Sequence, residues 1–441
     1  MLRSTILAVV ALAASPARSV ASSGDTAPVH AAASAPIAPA ILAIHVKGLT
    51  RTHEHVVRQE LELASVVVGA SFRADALAEG LQRLRNLLIF RTVDATTAVS
   101  ANNEVTIEVR LTERWTVIPI FRFAGGGGTT YVILGTYDVN FLGRYLEVGG
   151  QYENLGGTHS GVAWIRKPRL LGTRWSVGLD VWKVTRPREL YDVEGDLRGG
   201  FTLQRQKLNS FLEREVRPWL RTGVGIELDV DRFDETALSE EAIALNQAPD
   251  GPALPVSART VLGRTWLKLG RLDFDVYLVR GQTATVTGEV ASGAWGSEAT
   301  FVRGTFEGIS AWRLGRTQNI VTRLVASASN VDAATNAQHL TYVGGLDAVR
   351  GFADGELAGR RAWYANVEYR ISSFVSPWLV VQHDVFVDAG GTEHRPFVTS
   401  AGAGLRLLSP KVFRLTLRFD YAFTLVPGGN HGIAFGVQQF F

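Results

Sequence analysis

Large apolar side chains alternate with polar ones along most of the chain after residue 115. Near the C-terminus the apolar positions are Phe413, Leu415, Leu417, Phe419, Tyr421 and Phe423, and the positions between them are Arg414, Thr416, Arg418, Asp420 and Ala422. A two-residue period puts alternate side chains on opposite faces of a β-strand. In a transmembrane barrel the apolar face lies against lipid and the polar face lines the lumen. The pattern therefore predicts a transmembrane β-barrel over residues 115–441.

The same alternation divides this region into sixteen antiparallel strands. They are predicted near 115–123, 131–140, 144–153, 158–167, 172–184, 199–212, 219–231, 257–269, 272–286, 299–312, 317–328, 361–372, 378–389, 397–407, 412–425 and 431–441. An even number of antiparallel strands brings both ends of a barrel to the same side of the membrane, and closure leaves no unpaired edge in lipid.

Short and long connections alternate between the predicted strands. Short turns are expected at Gly143, Gly270-Arg271, Gly315-Arg316 and Ser409-Pro410, and long loops at 185–198, 232–256 and 330–360. Short periplasmic turns and long external loops are the habit of bacterial outer-membrane barrels. This parity predicts that both ends of the barrel, and any domain in front of it, face the periplasm.

Residues 41–113 follow a different pattern, which predicts a small α+β domain with the order strand, helix, helix, strand, strand. The second helix is marked by a stripe of leucines, and its members are Leu77, Leu81, Leu84 and Leu88. Spacings of four, three and four residues place these side chains on one helix face. About 70 residues suffice for one small core.

The N-terminus indicates secretion. Arg3 precedes an apolar run from Ile6 to Ala14, and Ser19-Val20-Ala21 is suited to cleavage, so residues 1–21 are predicted to be a signal peptide. The alternative is a membrane anchor, for which the apolar run is too short. Residues 22–40, rich in Ala, Ser and Pro, are predicted to be a flexible linker.

The composition argues against several other classes of function. The formal net charge is only +3 and no compact basic cluster occurs, so nucleic acid is not expected as a partner. The chain has no cysteine and no G-x-S-x-G motif, and we expect no cofactor, no metal and no enzymatic activity.

Two segments carry a resemblance to a known family. The run from Gly69 through Leu81 and Leu84 to Phe90 resembles the POTRA module of the BamA/TamA superfamily, although a small α+β domain without a client is the alternative. In the loop before the twelfth strand, the segment Val349-Arg350-Gly351-Phe352 resembles the VRGF/Y signature of the same superfamily. The resemblance implies an outer-membrane barrel whose loop folds back into the lumen, where its arginine pairs with acidic residues of the wall.

The alternation identifies wall residues that this arginine can reach. Glu368 lies on the polar face of the twelfth strand, and Asp388 lies on the polar face of the thirteenth. The segment from Phe386 through Asp388 to Gly390 also resembles the F-x-D-x-G motif of the family. We therefore predict that Arg350 forms a latch with Asp388 and Glu368. Taken singly, Arg350 can be a solvated loop arginine and Asp388 an ordinary lumen carboxylate.

The first and last strands are predicted to meet in a weak seam. Pro119 removes a ladder hydrogen bond from the first strand, and Gly432 and Gly436 lie in the last strand, which ends at Phe441. A terminal aromatic residue on an amphipathic strand resembles the signal by which such barrels are recognised for insertion. The seam is a candidate lateral gate, and the alternative is that Pro119 occupies a tolerated edge bulge.

The resemblance implies that the chain assists insertion or translocation of proteins at the bacterial outer membrane, with the POTRA-like domain in the periplasm. Its partners are then unfolded outer-membrane or secreted clients, outer-membrane lipid and periplasmic accessory proteins. Two alternatives are a passive pore or surface antigen without assembly activity, and a soluble β-rich secreted enzyme.

Overall fold

The computed structural model describes residues 38–126, 129–192, 196–275, 277–345, 347–412 and 416–437. The predicted signal peptide, nearly all of the predicted linker and Phe441 lie outside these residues. In the described part of the chain, no helix is both long and apolar enough to cross a membrane.

A small α+β region comes first. Its elements are β1 (Ala40–Lys47), α1 (Glu54–Leu63), α2 (Ala74–Asn86), β2 (Phe90–Val99) and β3 (Glu104–Glu113). The three strands form one sheet in the order β1, β3, β2, with β1 parallel and β2 antiparallel to β3. Leu84 of α2 is fully buried with Val57 of α1 and Ile107 of β3, because the apolar stripe of each helix packs on one face of the sheet.

Sixteen strands then close into one antiparallel barrel. The first eight are β4 (Val117–Gly126), β5 (Thr129–Asp138), β6 (Glu147–Leu155), β7 (Thr158–Lys167), β8 (Trp175–Tyr191), β9 (Leu197–Arg217), β10 (Leu220–Asp234) and β11 (Ala258–Asp275). The other eight are β12 (Leu278–Ala291), β13 (Phe301–Leu314), β14 (Gln318–Ser329), β17 (Arg361–Val375), β18 (Val380–Thr392), β19 (Val398–Leu408), β20 (Thr416–Val426) and β21 (Gly428–Val437). A short hairpin of β15 (Thr341–Val343) and β16 (Leu357–Gly359) lies between β14 and β17, and a helix α3 (Glu240–Asn246) lies between β10 and β11.

Side chains are sorted between the two barrel faces as their alternation predicts. In β10, Val224 and Ile226 are 57% and 63% exposed on the outer face, whereas Glu227 and Asp229, which follow them on the opposite face of the strand, are buried. The outer face is apolar over many strands and therefore suited to lipid, while the inner face holds the charges. The prediction of an α+β region in front of a sixteen-stranded antiparallel barrel is confirmed.

Two predicted connections are wrong. Gly270 and Arg271 do not form a turn, because β11 continues to Asp275 and pairs Gly270 with Thr283 of β12. Gly270 adopts a φ of +83° inside the strand, a conformation that favours glycine, and the register of β11 with β12 continues through it without a shift.

The long loop predicted at 185–198 is mostly strand. Pairing of β8 with β9 continues from Thr185 opposite Gln204 to Tyr191 opposite Leu197. Pairing of β8 with β7 has already ended at Lys183, so Pro187 lies on a free edge of β8, where a missing N–H is tolerated.

Candidate functional site

The long connection between β14 and β17 folds into the barrel. Its innermost part, residues 344–356, is called the tip loop below and connects β15 to β16. Val349, Arg350 and Phe352 of the tip loop are 0%, 3% and 6% exposed. The segment predicted to carry the family signature is therefore enclosed by the barrel wall.

Arg350 contacts both of the carboxylates that the sequence placed on the lumen face. Its Nε and Nη2 donate to Oδ2 and Oδ1 of Asp388 at 2.6 and 2.7 Å, and its backbone N–H donates to Oδ2 at 3.1 Å. Its Nη1 donates to Oε1 of Glu368 at 2.7 Å. A two-pronged bond to one carboxylate fixes the orientation of a guanidinium as well as neutralising its charge. The tip loop is thus tied to β17 and β18.

Each residue of the F-x-D-x-G motif has its own contact with the tip loop. The guanidinium carbon of Arg350 lies 3.4 Å from the ring centre of Phe386, which gives the cation an aromatic face to rest on. Asp388 supplies the carboxylate. A Cβ added at Gly390 would lie 2.8 Å from Cγ2 of Val349, so the absence of a side chain there lets the loop approach the wall.

Gly351 and Phe352 complete the packing of the tip. Gly351 has a φ of +92°, which favours glycine, and an added Cβ would lie 3.3 Å from Cγ2 of Thr424 in β20. The ring of Phe352 lies 5.9 Å from the guanidinium of Arg395, which also donates to Glu356 at 2.9 Å. These contacts hold the tip on both sides of Arg350.

Arg350 belongs to a larger buried charge cluster inside the barrel. The cluster consists of Arg350, Arg370, Arg406, Arg418, Glu368, Asp384, Asp388 and Asp420, none of them more than 4% exposed. With every carboxylate ionised, the four positive and four negative charges cancel. Only Arg350 comes from the tip loop, whereas the other members lie on β17 to β20. Docking of the loop therefore balances the charge of the wall, and buried charges are tolerated only where they are paired.

The sequence pattern predicted that Arg350 contacts Glu368 and Asp388, but it did not predict that the other five charged residues join them in one cluster. Arg406 donates from Nη2 to Asp384 at 2.9 Å and from Nη1 to Asp420 at 2.5 Å. The two-residue alternation marks all three as candidates for the lumen face, but strand pairing was needed to bring them together. A Cβ added at Gly404 would lie 2.3 Å from Oδ1 of Asp420, which explains a glycine at this position of β19.

The first and last barrel strands meet in a ladder rich in glycine. Among the described residues, β21 pairs with β4 from Gly432 opposite Gly126 to Gly436 opposite Arg122. Three of these five pairs contain a glycine, and the third such pair is Ile433 opposite Gly125. Few side chains can therefore reinforce this part of the ladder.

The remaining predicted seam residues are placed differently. Pro119 pairs with Thr136 of β5 and lies outside the described ladder to β21. On the seam itself, the rings of Phe121 and Phe435 meet edge to face with centres 5.9 Å apart. Phe441 lies outside the described residues.

The small α+β region leaves one strand edge open. In the described part of the chain, β2 pairs with β3 alone, and residues 96–99 of β2 are exposed. The outer edge of β1 is partly occupied, because Ala40 bridges to Ser71. Unpaired N–H and C=O groups on an edge strand can bind an extended peptide by adding a strand to the sheet.

Four charged side chains, three of them buried, connect this region to the barrel. Glu60 of α1 accepts from Arg83 of α2 at 3.0 Å and from Arg169 of the β7–β8 turn at 2.5 Å. Glu215 of β9 accepts from the same two arginines at 2.6 and 2.8 Å. Burial lowers the pKa of Arg169, but Glu60 and Glu215 raise it more, so that its pKa lies above the ordinary value. The small region is therefore docked on the barrel by an ionic square.

Within the residues that the structure describes, no group of three or more His, Asp or Glu side chains is arranged to hold a metal ion.

Comparisons with known proteins agree with this geometry. The model of a family described as the Omp85 superfamily domain matches residues 140–441. The crystal structure of BamA from Haemophilus ducreyi lacking POTRA domains 1–3 is similar with a TM-score of 0.56 and 17% identity, over 91% of this chain and 85% of that one. CdiB from Acinetobacter baumannii gives a TM-score of 0.59 and 15% identity, over 91% and 74% of the two chains. CdiB from Escherichia coli gives 0.56 and 13%, over 93% and 92%. None of the curated proteins matches the chain.

Proposed function

This chain belongs to the Omp85 superfamily, and from that membership we propose that it assists the insertion of proteins into the outer membrane or their translocation across it. The likeness of its fold to BamA and CdiB supports the same general role and an outer-membrane location. The role is not enzymatic. The folding of a client into lipid is itself favourable, so no nucleotide or cofactor is required.

The observation that carries this proposal is the glycine content of the ladder between β21 and β4. Opening it exposes two strand edges, each of which can pair with a strand of a client. Three of the five described pairs contain a glycine, and glycine contributes little cross-strand packing. In this proposal Pro119, Gly432, Gly436 and Phe441 lie in or beside a lateral gate.

We assign the small α+β region, residues 41–113, to the periplasm as a single POTRA domain, behind a cleaved signal peptide (1–21) and a linker (22–40). Its open β2 edge would receive unfolded clients, because residues 96–99 are exposed and β2 pairs only with β3 among the described strands, which leaves its other edge free for a client. Outer-membrane lipid and periplasmic accessory proteins are the further partners in this proposal.

The proposed role of Arg350 is to latch the tip loop inside the barrel. Three hydrogen bonds to Asp388 and one to Glu368 support it, as does the stacking of the guanidinium on Phe386. In this role the latch keeps the tip loop beside the seam while β4 and β21 separate and pair again.

A disulfide across the seam tests the gate. The chain has no cysteine, so Phe123→Cys with Phe435→Cys introduces one defined pair on directly opposed residues of β4 and β21. Opposed residues in an antiparallel ladder lie about 4.5–5.5 Å apart at Cα, which suits a disulfide. We expect the oxidised protein to lose client insertion and to regain it on reduction.

The matched control places the same bond in a ladder that does not open. Val286→Cys with Phe306→Cys joins opposed residues of β12 and β13, whose side chains are exposed on the outer face as those of the seam pair are. This pair is expected to leave activity unchanged in both redox states. Full activity of the oxidised Phe123–Phe435 pair would contradict the gate.

Removal of the protein from cells separates the assembly role from the passive pore. Falling levels of other barrels, or of a specific secreted partner, are expected for an assembly protein. Unchanged client levels together with an altered outer-membrane conductance would support the pore or surface antigen instead.

A further inference from the structure

The tip loop touches both strands of the seam from inside the barrel. On the side of β21, a Cβ added at Gly432 would lie 3.5 Å from Cα of Gly351, so the loop backbone packs directly on the last strand. On the side of β4, Arg122 donates from Nη1 to Oδ2 of Asp347 at 3.2 Å and from Nη2 to Oδ1 at 2.5 Å. The loop therefore spans the seam.

Arg122 lies at the seam itself. It is directly opposite Gly436 of β21, and a Cβ added at Gly436 would lie 3.2 Å from Cγ of Arg122. The glycine thus makes room for the arginine stem. The guanidinium also lies 5.9 Å from the ring centre of Tyr131 on the neighbouring strand β5, and these contacts direct it toward Asp347.

The exposure of this ion pair differs from that of the buried cluster. The side chain of Arg122 is 11% exposed, but that of Asp347 is 57% exposed. Solvent-exposed ion pairs are weak because water screens them and replaces them easily, whereas removing one partner of a buried pair is costly. The pair can therefore break and re-form, while Arg350 stays bound.

We propose that Arg122 and Asp347 form a seam clasp, an ion pair through which the tip loop positions the first barrel strand against the last. This inference rests on the proposed function, since it assigns a control element to the proposed gate. Arg350 anchors the loop to β17 and β18. When β4 moves away from β21, it must leave the loop as well, and the clasp is the contact that has to open.

The tip loop also offers a matched control. Asp354 has a similarly exposed side chain, at 43%, and its Oδ2 lies 3.7 Å from Nη1 of Arg186 and 3.5 Å from Nη1 of Arg188 on β8. Three strands, β5, β6 and β7, separate β8 from β4. Loss of this contact removes a comparable interaction of the loop without touching the seam.

Distance measurement by electron paramagnetic resonance tests the clasp. Nitroxide labels on Phe123→Cys and Phe435→Cys, whose native side chains are exposed on the outer face, report the separation of β4 and β21 in phospholipid vesicles. We expect Asp347→Asn and Arg122→Gln to raise the ratio of separated to paired seam about five-fold, which corresponds to about 1 kcal/mol. Arg122→Lys keeps the charge but not the two-pronged bond, so it should give a smaller rise.

Asp354→Asn is expected to leave the distance distribution as in the wild type, and all variants should keep the heat-modifiable gel mobility of a folded barrel. An unchanged distribution in Asp347→Asn would overturn the clasp, and so would an equal rise in Asp354→Asn. Either result leaves the proposed lateral gate supported, provided that the seam disulfide still abolishes client insertion. Full activity of the disulfide-locked protein would instead remove the gate and its clasp together.

Discussion

Replacing Arg350 by alanine should destabilise the barrel strongly. The side chain is 3% exposed, and its removal deprives Asp388 and Glu368 of three hydrogen bonds and leaves the buried cluster with one excess negative charge. The bond from the backbone N–H survives in alanine only if the loop stays docked. Removing one partner of a buried ion pair costs about 3–5 kcal/mol, and we expect an effect of that size.

Urea unfolding in phospholipid vesicles, followed by tryptophan fluorescence, measures the loss. With a slope of about 3 kcal/mol per molar urea, the expected cost lowers the midpoint by about 1–2 M. Arg350→Lys should fall between wild type and alanine, because lysine keeps the charge but cannot grip Asp388 with two nitrogens. Function should fall with stability, while export of the chain across the inner membrane is unaffected.

The double variant Arg350→Ala with Asp388→Ala is the sharper test of the charge argument. It removes one charge of each sign, so the cluster is balanced again and the variant should be more stable than the sum of the single effects by about 1–3 kcal/mol. Additive losses would refute the reasoning that charge balance holds the loop. A midpoint and activity of Arg350→Ala equal to those of the wild type would refute the latch altogether.

Three further changes probe the packing and charges around this site, each by the urea midpoint. Gly390→Ala brings a Cβ to 2.8 Å from Val349 and should cost about 1–3 kcal/mol, whereas Gly304→Ala, where no atom lies within 4 Å, should cost nothing measurable. Glu60→Ala breaks the ionic square, so it should lower the free energy of unfolding by about 1–3 kcal/mol and speed proteolysis near residue 114 as the small region detaches from the barrel. The control, Glu54→Ala, removes an ion pair with Arg58 whose side chains are 48% and 42% exposed, and it should cost less than about 0.5 kcal/mol. Burial, reinforced by Arg205, Arg303 and Lys207, lowers the pKa of His339 in the connection between β14 and β17 from 6.5 to about 2, so only the unfolded chain takes up its proton between those values. Stability should be full above pH 6.5 and about 2 kcal/mol lower at pH 5, and His339→Gln should remove that part of the pH dependence.

Strand number and facing were predictable because a barrel strand has only two faces and each faces a different solvent. The alternation in β17 and β18 therefore predicted a polar face for Glu368 and Asp388 without any knowledge of their neighbours, and both contact Arg350 in the structure. Strand ends were less predictable. Residues 185–191 are rich in charge and contain a proline, which is typical of a loop. They nevertheless pair with β9, beyond the point where β8 stops pairing with β7, because an edge strand tolerates both features.

By itself, the sequence determines the two-residue period, and with it the barrel, the strand count and which face of each strand carries the charged residues. These are local properties, because they depend on side chains two positions apart and on the contrast between lipid and water. Only the tertiary structure decides which charges meet. Arg350 reaches Asp388 across a gap of 38 residues, and Arg122 reaches Asp347 across 225. Such pairs depend on strand register and on the path of the tip loop, which arise from closure of the whole barrel and leave no periodic trace in the chain.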